Sequence, residues 1–452
     1  MLCDRHLCRT HRQKPWHKCP RPEVSLWYTY PRTRQQCSRL QIQEDWESSS
    51  AQYSAMEARY IDELCREIDQ SKLCSHASTL RGGIPCTIAE LSRKNLSAMM
   101  GNQNCHVEIT FQDNVKWLAR FHLLKTSSPP REIHDWILQS EAATMIYLQR
   151  YTRIPTPKVF DWACKSDPRN EIGVDYILME KLDGKSLDWQ SATPQQREKV
   201  MQQLVDIFLE IEKHPFKAMG SLHASPVADS TIDVKGLANQ STCQVDKGPL
   251  GPFSSSLEGS QAILDSYLAM IASGEVDSYG QTDIYLTHKF CRDNVGTLWA
   301  DDAVSSGNEF FLKHPDDKGD HILVNDSFDI VGIIDWEWTQ TVSKAEAFCS
   351  PCMMWPLLEF YDGSNELTTD ELRLAAIFQE KGREDLANCV MNGRKVQRFF
   401  FGLGPESSFV DTQTLSNLFM GLQKAFNCYE GGLGSWRTKA LEKWKDDPQP
   451  YS

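Results

Sequence analysis

The sequence lacks the features that would assign it at once to a membrane, secreted or nucleotide-loop class. No run of about 18 apolar residues occurs in the 452 residues, so no membrane span is predicted. The fifteen cysteines follow no repeated spacing and no apolar signal segment is present, which favours a reducing, cytoplasmic setting over a disulfide scaffold. A complete G-x-G-x-x-G loop is also missing, because the run Gly101-Asn-Gln-Asn104 has a single glycine.

Positive charge is scarce in most of the chain. The net charge is −13, but residues 1–39 carry nine Arg and Lys against Asp4 and Glu23, a local net of +7 that leaves −20 for the rest. An acidic body argues against a nucleic-acid partner and would suit a cationic small molecule. With 40% apolar and 24% charged residues, the composition is typical of a globular protein, and the length predicts two domains.

The basic N-terminal stretch, residues 1–54, shows no sustained helical or strand period. We therefore expect a disordered basic extension that does not join the core. Its Cys and His residues do not match a closed zinc-binding spacing, although a zinc knuckle remains an alternative; they are Cys3, His6, Cys8, His11, His17 and Cys19. Its Arg-rich, acid-poor character leaves a mitochondrial transit peptide as a minor alternative.

From residue 55 onward the apolar pattern predicts first a small sheet region and then a mainly helical region. The first is expected to contain a helix from Ala55 to near Ser71, a second helix after Gly82–Pro85, a hairpin of strands Cys105–Phe111 and Lys116–His122, a helix Arg131–Arg150, and strands Lys158–Trp162 and Asp175–Met179. The second is expected to contain a helix capped by Thr193-Pro194, a long loop from Pro215 to about Gly259, a helix over 260–273, a structural Cys349-x-x-Cys352, and a helix-rich tail from Thr368 to about Leu441.

The stretch from Phe310 to Trp338 carries the clearest chemical signal. Two short apolar strands, His321–Val324 and Ile330–Ile334, flank a loop with the composition of a hairpin turn. If Val324 pairs with Ile330, then His321 lies opposite Ile333, and Asp335 emerges at the same end. That end would also gather Asp316, Asp317 and Asp320, more carboxylate than a chain brings together without a cation. The pattern predicts a magnesium site, the alternative being an exposed acidic hairpin whose charges are solvated.

The spacing of this stretch resembles a kinase catalytic loop. It reads His314-Pro-Asp316, then His321 five residues after the aspartate, then Asp335 at the end of a strand pair. Together with Ile334-Asp335-Trp336-Glu337, the pattern resembles the aminoglycoside phosphotransferase family. That resemblance implies an α+β, two-lobed protein-kinase-like fold. Its small antiparallel sheet lobe would span residues 55–180, and its mainly helical lobe would span 181–452 with the catalytic hairpin at 314–337.

The resemblance also implies roles for individual residues. Asp316 would serve the acceptor hydroxyl, and Asp335 with His321 would hold Mg²⁺ on the phosphates of ATP. Arg120 stands where the family carries a basic residue for the phosphates, and Glu141 is the expected acidic partner. The alternatives are that Arg120 lies exposed on the polar face of its strand and that Glu141 is an exposed helix-favouring residue.

The function implied is ATP-dependent transfer of a phosphoryl group to a hydroxyl of a small molecule. One departure from the family pattern is His321, which stands where the family usually has Asn and offers Mg²⁺ a less suitable ligand. The alternative function is therefore a catalytically weak nucleotide-binding or scaffold protein. Because acids surround His321 in the sequence, we expect its pKa to be raised. No chemical signature in the sequence identifies the acceptor.

Overall fold

The computed structural model describes residues 55–97, 104–123, 128–224, 231–239, 243–244, 248–273, 281–300, 309–400, 412–429 and 431–447. The predictions for residues 1–54, including the zinc knuckle, lie outside these ranges. The chain groups into two compact units. The first comprises the residues up to Arg131 together with Lys158–Lys181, and the second comprises Glu132–Pro157 and everything from Leu182 onward. The observed grouping differs from the expected lobe of residues 55–180 in that 132–157 belong to the second unit.

A five-stranded antiparallel sheet forms the first unit. Its strands are β1 (Cys86–Ile88), β2 (Asn104–Phe111), β3 (Lys116–His122), β4 (Val159–Ala163) and β5 (Tyr176–Glu180), in the spatial order β1-β2-β3-β5-β4. The predicted β2–β3 hairpin is confirmed, and its turn places Asn114 at φ 65°, a left-handed conformation that asparagine tolerates. The core side of the sheet is closely packed, since the ring of Trp117 stacks on Phe160 with centroids 3.8 Å apart.

The helices of the first unit differ from the predicted ones in two places. The single helix expected from Ala55 to near Ser71 is two helices, α1 (55–67) and α2 (Gln70–Leu80). The break occurs because the Asp69 side chain accepts a hydrogen bond from the Lys72 amide at 3.0 Å and so caps a new helix. After Gly82–Pro85 the chain forms β1 instead of the expected helix, and only a short α3 (Arg93–Ser97) follows.

The second unit is mainly helical, and its helices are α4 (Arg131–Tyr151), α5 (Pro194–Glu212), α6 (Ser256–Ala272), α7 (Gln281–Leu298), α8 (Lys344–Ala347), α9 (Leu357–Tyr361), α10 (Thr369–Glu380), α11 (Glu384–Met391), α12 (Gly393–Phe400), α13 (Thr412–Ala425) and α14 (Gly432–Lys443). The start predicted for α5 is confirmed, since Thr193 and Gln196 form a reciprocal capping box with Pro194 in the first turn. Helices α6, α7, α12, α13 and α14 share one apolar core.

Short strands complete the second unit. They are β6 (Lys185–Ser186), β7 (Ser221–Ala224), β8 (Ile232–Lys235), β9 (Cys243–Gln244), β10 (Gly248–Pro249), β11 (Phe311–Lys313), β12 (Ile322–Val324), β13 (Ile330–Ile333) and β14 (Gln340–Val342). They pair as β13-β12-β6, β11-β14, β7-β8 and β9-β10. The long loop expected from Pro215 to about Gly259 was therefore wrong, because four of these strands lie within it. The predicted α+β class, with a sheet unit and a mainly helical unit, is confirmed. None of the helices in the described ranges is both long and apolar enough to cross a bilayer.

The buried guanidinium group of Arg398 contacts Phe360, Asn365 and the backbone of α13 at Gly421. Arg398 of α12 is 1% exposed and its guanidinium carbon lies 3.6 Å from the centre of the Phe360 ring. Its Nε donates to Asn365 Oδ1 at 2.9 Å. The group fits because α13 has glycine at position 421, where a Cβ atom would lie 2.6 Å from the Arg398 Cζ. Gly421 is therefore required by close packing and not by backbone conformation.

We expect Gly421→Ala to destabilise the protein by about 1 kcal/mol, because the clash with Arg398 outweighs the helical preference of alanine. The matched control is Gly296→Ala, at an exposed helical position in α7 where a Cβ meets nothing within 4 Å. That variant should be about 0.5–1 kcal/mol more stable than the parent. Urea unfolding of both variants measures the effect, and two changes of the same sign would contradict this account of Gly421.

Candidate active site

The hairpin that carries Asp335 is β12–β13, and its register differs from the predicted one by one residue. Val324 pairs with Ile330 as predicted, but Leu323 then pairs with Gly332, which leaves Val331 without a counterpart. This β-bulge sets Ile322, and not His321, opposite Ile333. The expectation for His321 was therefore wrong: its carbonyl accepts from the Ile334 amide at 2.9 Å.

Helix α5 holds the loop of this hairpin. Gln203 uses both ends of its amide group, with Oε1 accepting from the Ile330 amide at 2.8 Å and Nε2 donating to the Phe328 carbonyl at 2.9 Å. Lys199 donates to the Ser327 carbonyl at 2.7 Å. Two side chains one helical turn apart thus satisfy backbone groups of the turn and position the hairpin on a rigid element.

Asp335 follows β13 after one intervening residue, Ile334, and projects from a strained backbone. Its φ is 61°, a left-handed conformation that costs most side chains free energy, and its side chain is exposed. The next residue, Trp336, is 2% exposed and donates from Nε1 to the Ile333 carbonyl at 3.0 Å. Thr339 Oγ1 in turn donates to the Trp336 carbonyl at 2.8 Å. The buried indole therefore anchors the turn while Asp335 faces solvent, and strain at an exposed carboxylate is typical of a functional site.

Lysine partly neutralises the acids of the loop before Asp335. Lys318 Nζ lies 2.6 Å from Asp316 Oδ2 and 3.4 Å from Asp320 Oδ2. Although partial burial alone would lower it, the two neighbouring carboxylates raise the pKa of Lys318. Lys318 was not among the predicted site residues, although its position two residues after Asp316 was a sufficient signal. The loop thus supplies a cation of its own.

Asp317 does not join this cluster. Its Oδ1 accepts from the Cys352 amide at 3.0 Å, and its Oδ2 lies 3.4 Å from Lys313 Nζ. Burial would lower the pKa of Lys313, but its interactions with Cys349, Asp317 and Glu346 raise it instead. The expectation that Asp317 contributes to the acidic end of the hairpin was therefore wrong, because its carboxylate is directed inward.

His321 is buried together with His314. The two rings stack with centroids 4.2 Å apart, and His314 Nε2 lies 2.9 Å from the Ile334 carbonyl. Neither Nδ1 atom has a hydrogen-bond partner among the described residues. Burial, with smaller contributions from His314 and Lys318, holds the pKa of His321 well below its ordinary value. The expected rise in that pKa was wrong because the buried ring loses its hydration, which favours the neutral form.

The donor groups of the site fit Mg²⁺ in part. An exposed carboxylate such as that of Asp335 is a ligand that Mg²⁺ accepts, and this ion commonly binds through one or two carboxylates with phosphates and water. His321 would offer nitrogen, which suits softer ions. Across the described ranges, Asp316, His321 and Asp335 do not form a group whose ligand atoms all lie within 4.8 Å of one another. Asp335 is therefore the residue best suited to hold the ion.

The two remaining predicted residues are both buried. Arg120 is 5% exposed on β3, where it pairs with His106 of β2 and Ile177 of β5. Glu141, on α4, is 3% exposed. The alternatives that placed each of them on the surface were therefore wrong. A charged side chain buried to this extent requires compensation by opposite charge or hydrogen bonds.

No family model matches the chain. Its sequence is similar to that of the subtelomeric hrmA-associated cluster proteins from two strains of Aspergillus fumigatus, at 37% identity over 86 residues. That region is 19% of this chain and 16% of each relative, so the chain matches about one sixth of the length of these curated relatives.

The similar solved structures are small-molecule kinases. A structure from Thermobifida fusca, provisionally assigned as a fructosamine-3-kinase, aligns over 76% of this chain and 97% of its own, with 17% identity and a TM-score of 0.44. The ethanolamine kinase of Plasmodium vivax covers 79% and 87%, with 12% identity and a TM-score of 0.42. A thermostable aminoglycoside phosphotransferase APH(4)-Ia with AMP-PNP and hygromycin B covers 80% and 99%, with 10% identity and a TM-score of 0.41.

The backbone of Asp335 yields a stability prediction. Asp335→Gly and Asp335→Ala both remove the carboxylate, but only glycine adopts φ 61° without strain. We expect the glycine variant to be more stable than the alanine variant by about 1 kcal/mol in urea unfolding. At Asp326, a 99% exposed loop residue without a positive φ, the order should be reversed. Alanine being the more stable at both positions would show that Asp335 is not strained.

Proposed function

We propose that this chain is an ATP-dependent phosphotransferase that transfers the γ-phosphoryl group to a hydroxyl of a small molecule. The observation that best supports this proposal is the display of two acids, Asp316 and Asp335, by adjoining segments of the second unit. Each follows the family spacing, and each is next to a residue directed inward, the half-buried Asp317 or the buried Trp336. A solvated acidic hairpin would not need either anchor.

Asp316 would act on the acceptor. Its carboxylate would accept a hydrogen bond from the acceptor hydroxyl and take the proton as the oxygen attacks the γ-phosphorus. The new bond joins that oxygen to phosphorus, the bond to the β–γ bridging oxygen breaks, and ADP leaves. Since Lys318 now lies 2.6 Å from this carboxylate, the acceptor hydroxyl would compete with the ammonium group for Asp316.

Asp335 and His321 would hold Mg²⁺, with Asp335 as the principal ligand. When bound, the ion would neutralise charge on the phosphate oxygens. The hydrogen bonds of Trp336 to Ile333 and of Thr339 to Trp336 would keep the Asp335 carboxylate oriented. Arg120 and Glu141 would position the phosphates of the nucleotide, and their burial is consistent with a fixed geometry for each.

A second candidate function is nucleotide binding without efficient transfer. The observation that favours it is the buried, neutral imidazole of His321 where the family pattern has an asparagine oxygen. A chain that binds nucleotide in this way would retain the fold and act as a scaffold. The two candidates differ in one measurable property, which is acceptor-dependent release of ADP.

The acceptor class is proposed from charge. Residues 40–452 carry a net charge of −20, which would favour encounter with an amine-bearing molecule. A suitable test set contains ethanolamine, hygromycin B and a fructosamine, which are compounds named for the similar structures. ADP release above the acceptor-free rate identifies a substrate.

Asp316→Asn should reduce acceptor-dependent transfer by about a thousandfold, because the general base is lost. Binding of Mg²⁺-AMP-PNP, measured by calorimetry, should change less than threefold, since this carboxylate serves the acceptor. Asp326→Asn is the matched control, because Asp326 is an exposed acid of the same hairpin. A rate within tenfold of the parent would remove Asp316 from the mechanism.

His321→Asn should tighten Mg²⁺-dependent binding of AMP-PNP by about tenfold, because an amide oxygen replaces a nitrogen ligand that Mg²⁺ disfavours. Affinity in the presence of EDTA should stay unchanged, which isolates the effect on the metal. If the variant bound Mg²⁺-AMP-PNP no better than the parent, His321 would not be a ligand, and Asp335 would act with phosphate and water alone.

A further inference from the structure

We propose that Asp317 is the positioning residue of the catalytic loop, and that the turn at residues 351–354 is the support on which it fixes Asp316. This inference rests on the proposed function, since it concerns how the base of that reaction is held. The residue is not the base itself. It is the neighbour that determines where the base points.

The two adjacent aspartates serve opposite sides of the loop. The Asp316 side chain is 36% exposed and contacts Lys318, whereas the Asp317 side chain is 18% exposed and contacts Lys313 and the Cys352 amide. Because consecutive side chains share a backbone, fixing the inner one restricts the rotation of the chain that carries the outer one. An anchored Asp317 therefore limits the directions open to Asp316.

Three contacts attach the loop to the turn. Asp317 Oδ1 accepts from the Cys352 amide at 3.0 Å, and the Asp317 carbonyl accepts from the Met353 amide at 3.2 Å. Gly319, at φ 107°, passes so close that a Cβ would lie 3.1 Å from Met353 Sδ. Side chain and backbone of one residue thus bind consecutive amides of the turn, which fixes both the position and the angle of the loop.

The turn is itself held by buried groups. Ser350, immediately before it, is fully buried and donates to Glu371 Oε1 at 2.6 Å. Its carbonyl accepts from Gln397 Nε2 at 3.1 Å and from Trp355 Nε1 at 2.9 Å. Since Glu371 lies on α10 and Gln397 on α12, the loop is connected through the turn to two helices. A support built on regular elements positions a group more accurately than a free loop.

Lys313 stabilises Asp317 in its half-buried position. A half-buried carboxylate with a single amide donor would be costly, and the ammonium group 3.4 Å away offsets its charge. Lys313 belongs to β11, where it pairs with Gln340 of β14, so its own backbone is fixed. We assign Lys313 to charge compensation and Asp317 to positioning, because only the aspartate binds the turn.

The test separates these two tasks. Asp317→Leu removes both contacts of the carboxylate, and it should lower kcat by about a hundredfold with KM for ATP within threefold, because a displacement of about 1 Å is enough for such a loss. The double variant Lys313→Met with Asp317→Asn keeps an oxygen acceptor for the Cys352 amide and leaves no unpaired ammonium. It should recover kcat to within about tenfold of the parent. Asp326→Leu, the same change at an exposed acid, is the control.

Hydrogen exchange measured by mass spectrometry gives a readout that does not require activity. The amides of Cys352 and Met353 should lose protection in Asp317→Leu and regain it in the double variant. Unchanged protection in Asp317→Leu would overturn the proposed support. Lost protection with an unchanged kcat would overturn the positioning role. If the parent chain shows the protection pattern but no acceptor-dependent ADP release, the proposed function fails while the structural support stands.

If Asp317→Leu does not fold, the double variant tests the positioning role of Asp317. If the double variant folds and its Cys352 amide is protected, its kcat should lie within about tenfold of the parent. A kcat reduced a hundredfold in spite of that protection would show that the charge of Asp317, and not its bond to the turn, supports the reaction. That result would contradict the proposal.

Discussion

Repulsion among carboxylates in one short loop is the constraint on which the site of the second unit depends. Three of the five residues from Asp316 to Asp320 are acidic, and the chain separates them by direction and by partner. Lys318 bridges the two outer acids, and Lys313 compensates the inner one. Because the lysines reduce the repulsion between these carboxylates, Asp316 can lie near solvent beside Asp317.

Backbone strain is concentrated on the other side of the site. Asp335 and Trp338 both have φ near 60°, and Trp336, which lies between them in the chain, is held at both its indole and its carbonyl. Such a conformation persists only where packing over-determines it. The buried indole and the hairpin supported by α5 supply that packing. The loop thus relies on charge balance, whereas the hairpin relies on packing.

Sequence patterns predicted the class of fold, the β2–β3 hairpin and the cap of α5, because each depends on residues close together in the chain. They did not predict the one-residue shift of β12–β13, where Gly332 lies close against Leu182, about 150 residues earlier, because the sequence does not show such a contact. The predicted direction of the His321 pKa shift was wrong for a related reason, because the sequence shows neighbouring acids but not burial. Asp317 could not be distinguished from Asp316 until Cys352, 35 residues later, was seen beside it.

The two lysines that contact the acids of the loop differ in their access to water. The Lys318 side chain is 55% exposed and that of Lys313 is 21% exposed. Dissolved ions screen exposed pairs strongly and buried pairs weakly. Raising the ionic strength therefore weakens the contact that covers Asp316 and leaves the contact that holds Asp317 almost unchanged. Salt therefore acts on the surface contact of the loop, so the Asp316 carboxylate can be uncovered while Asp317 keeps its contact with Lys313.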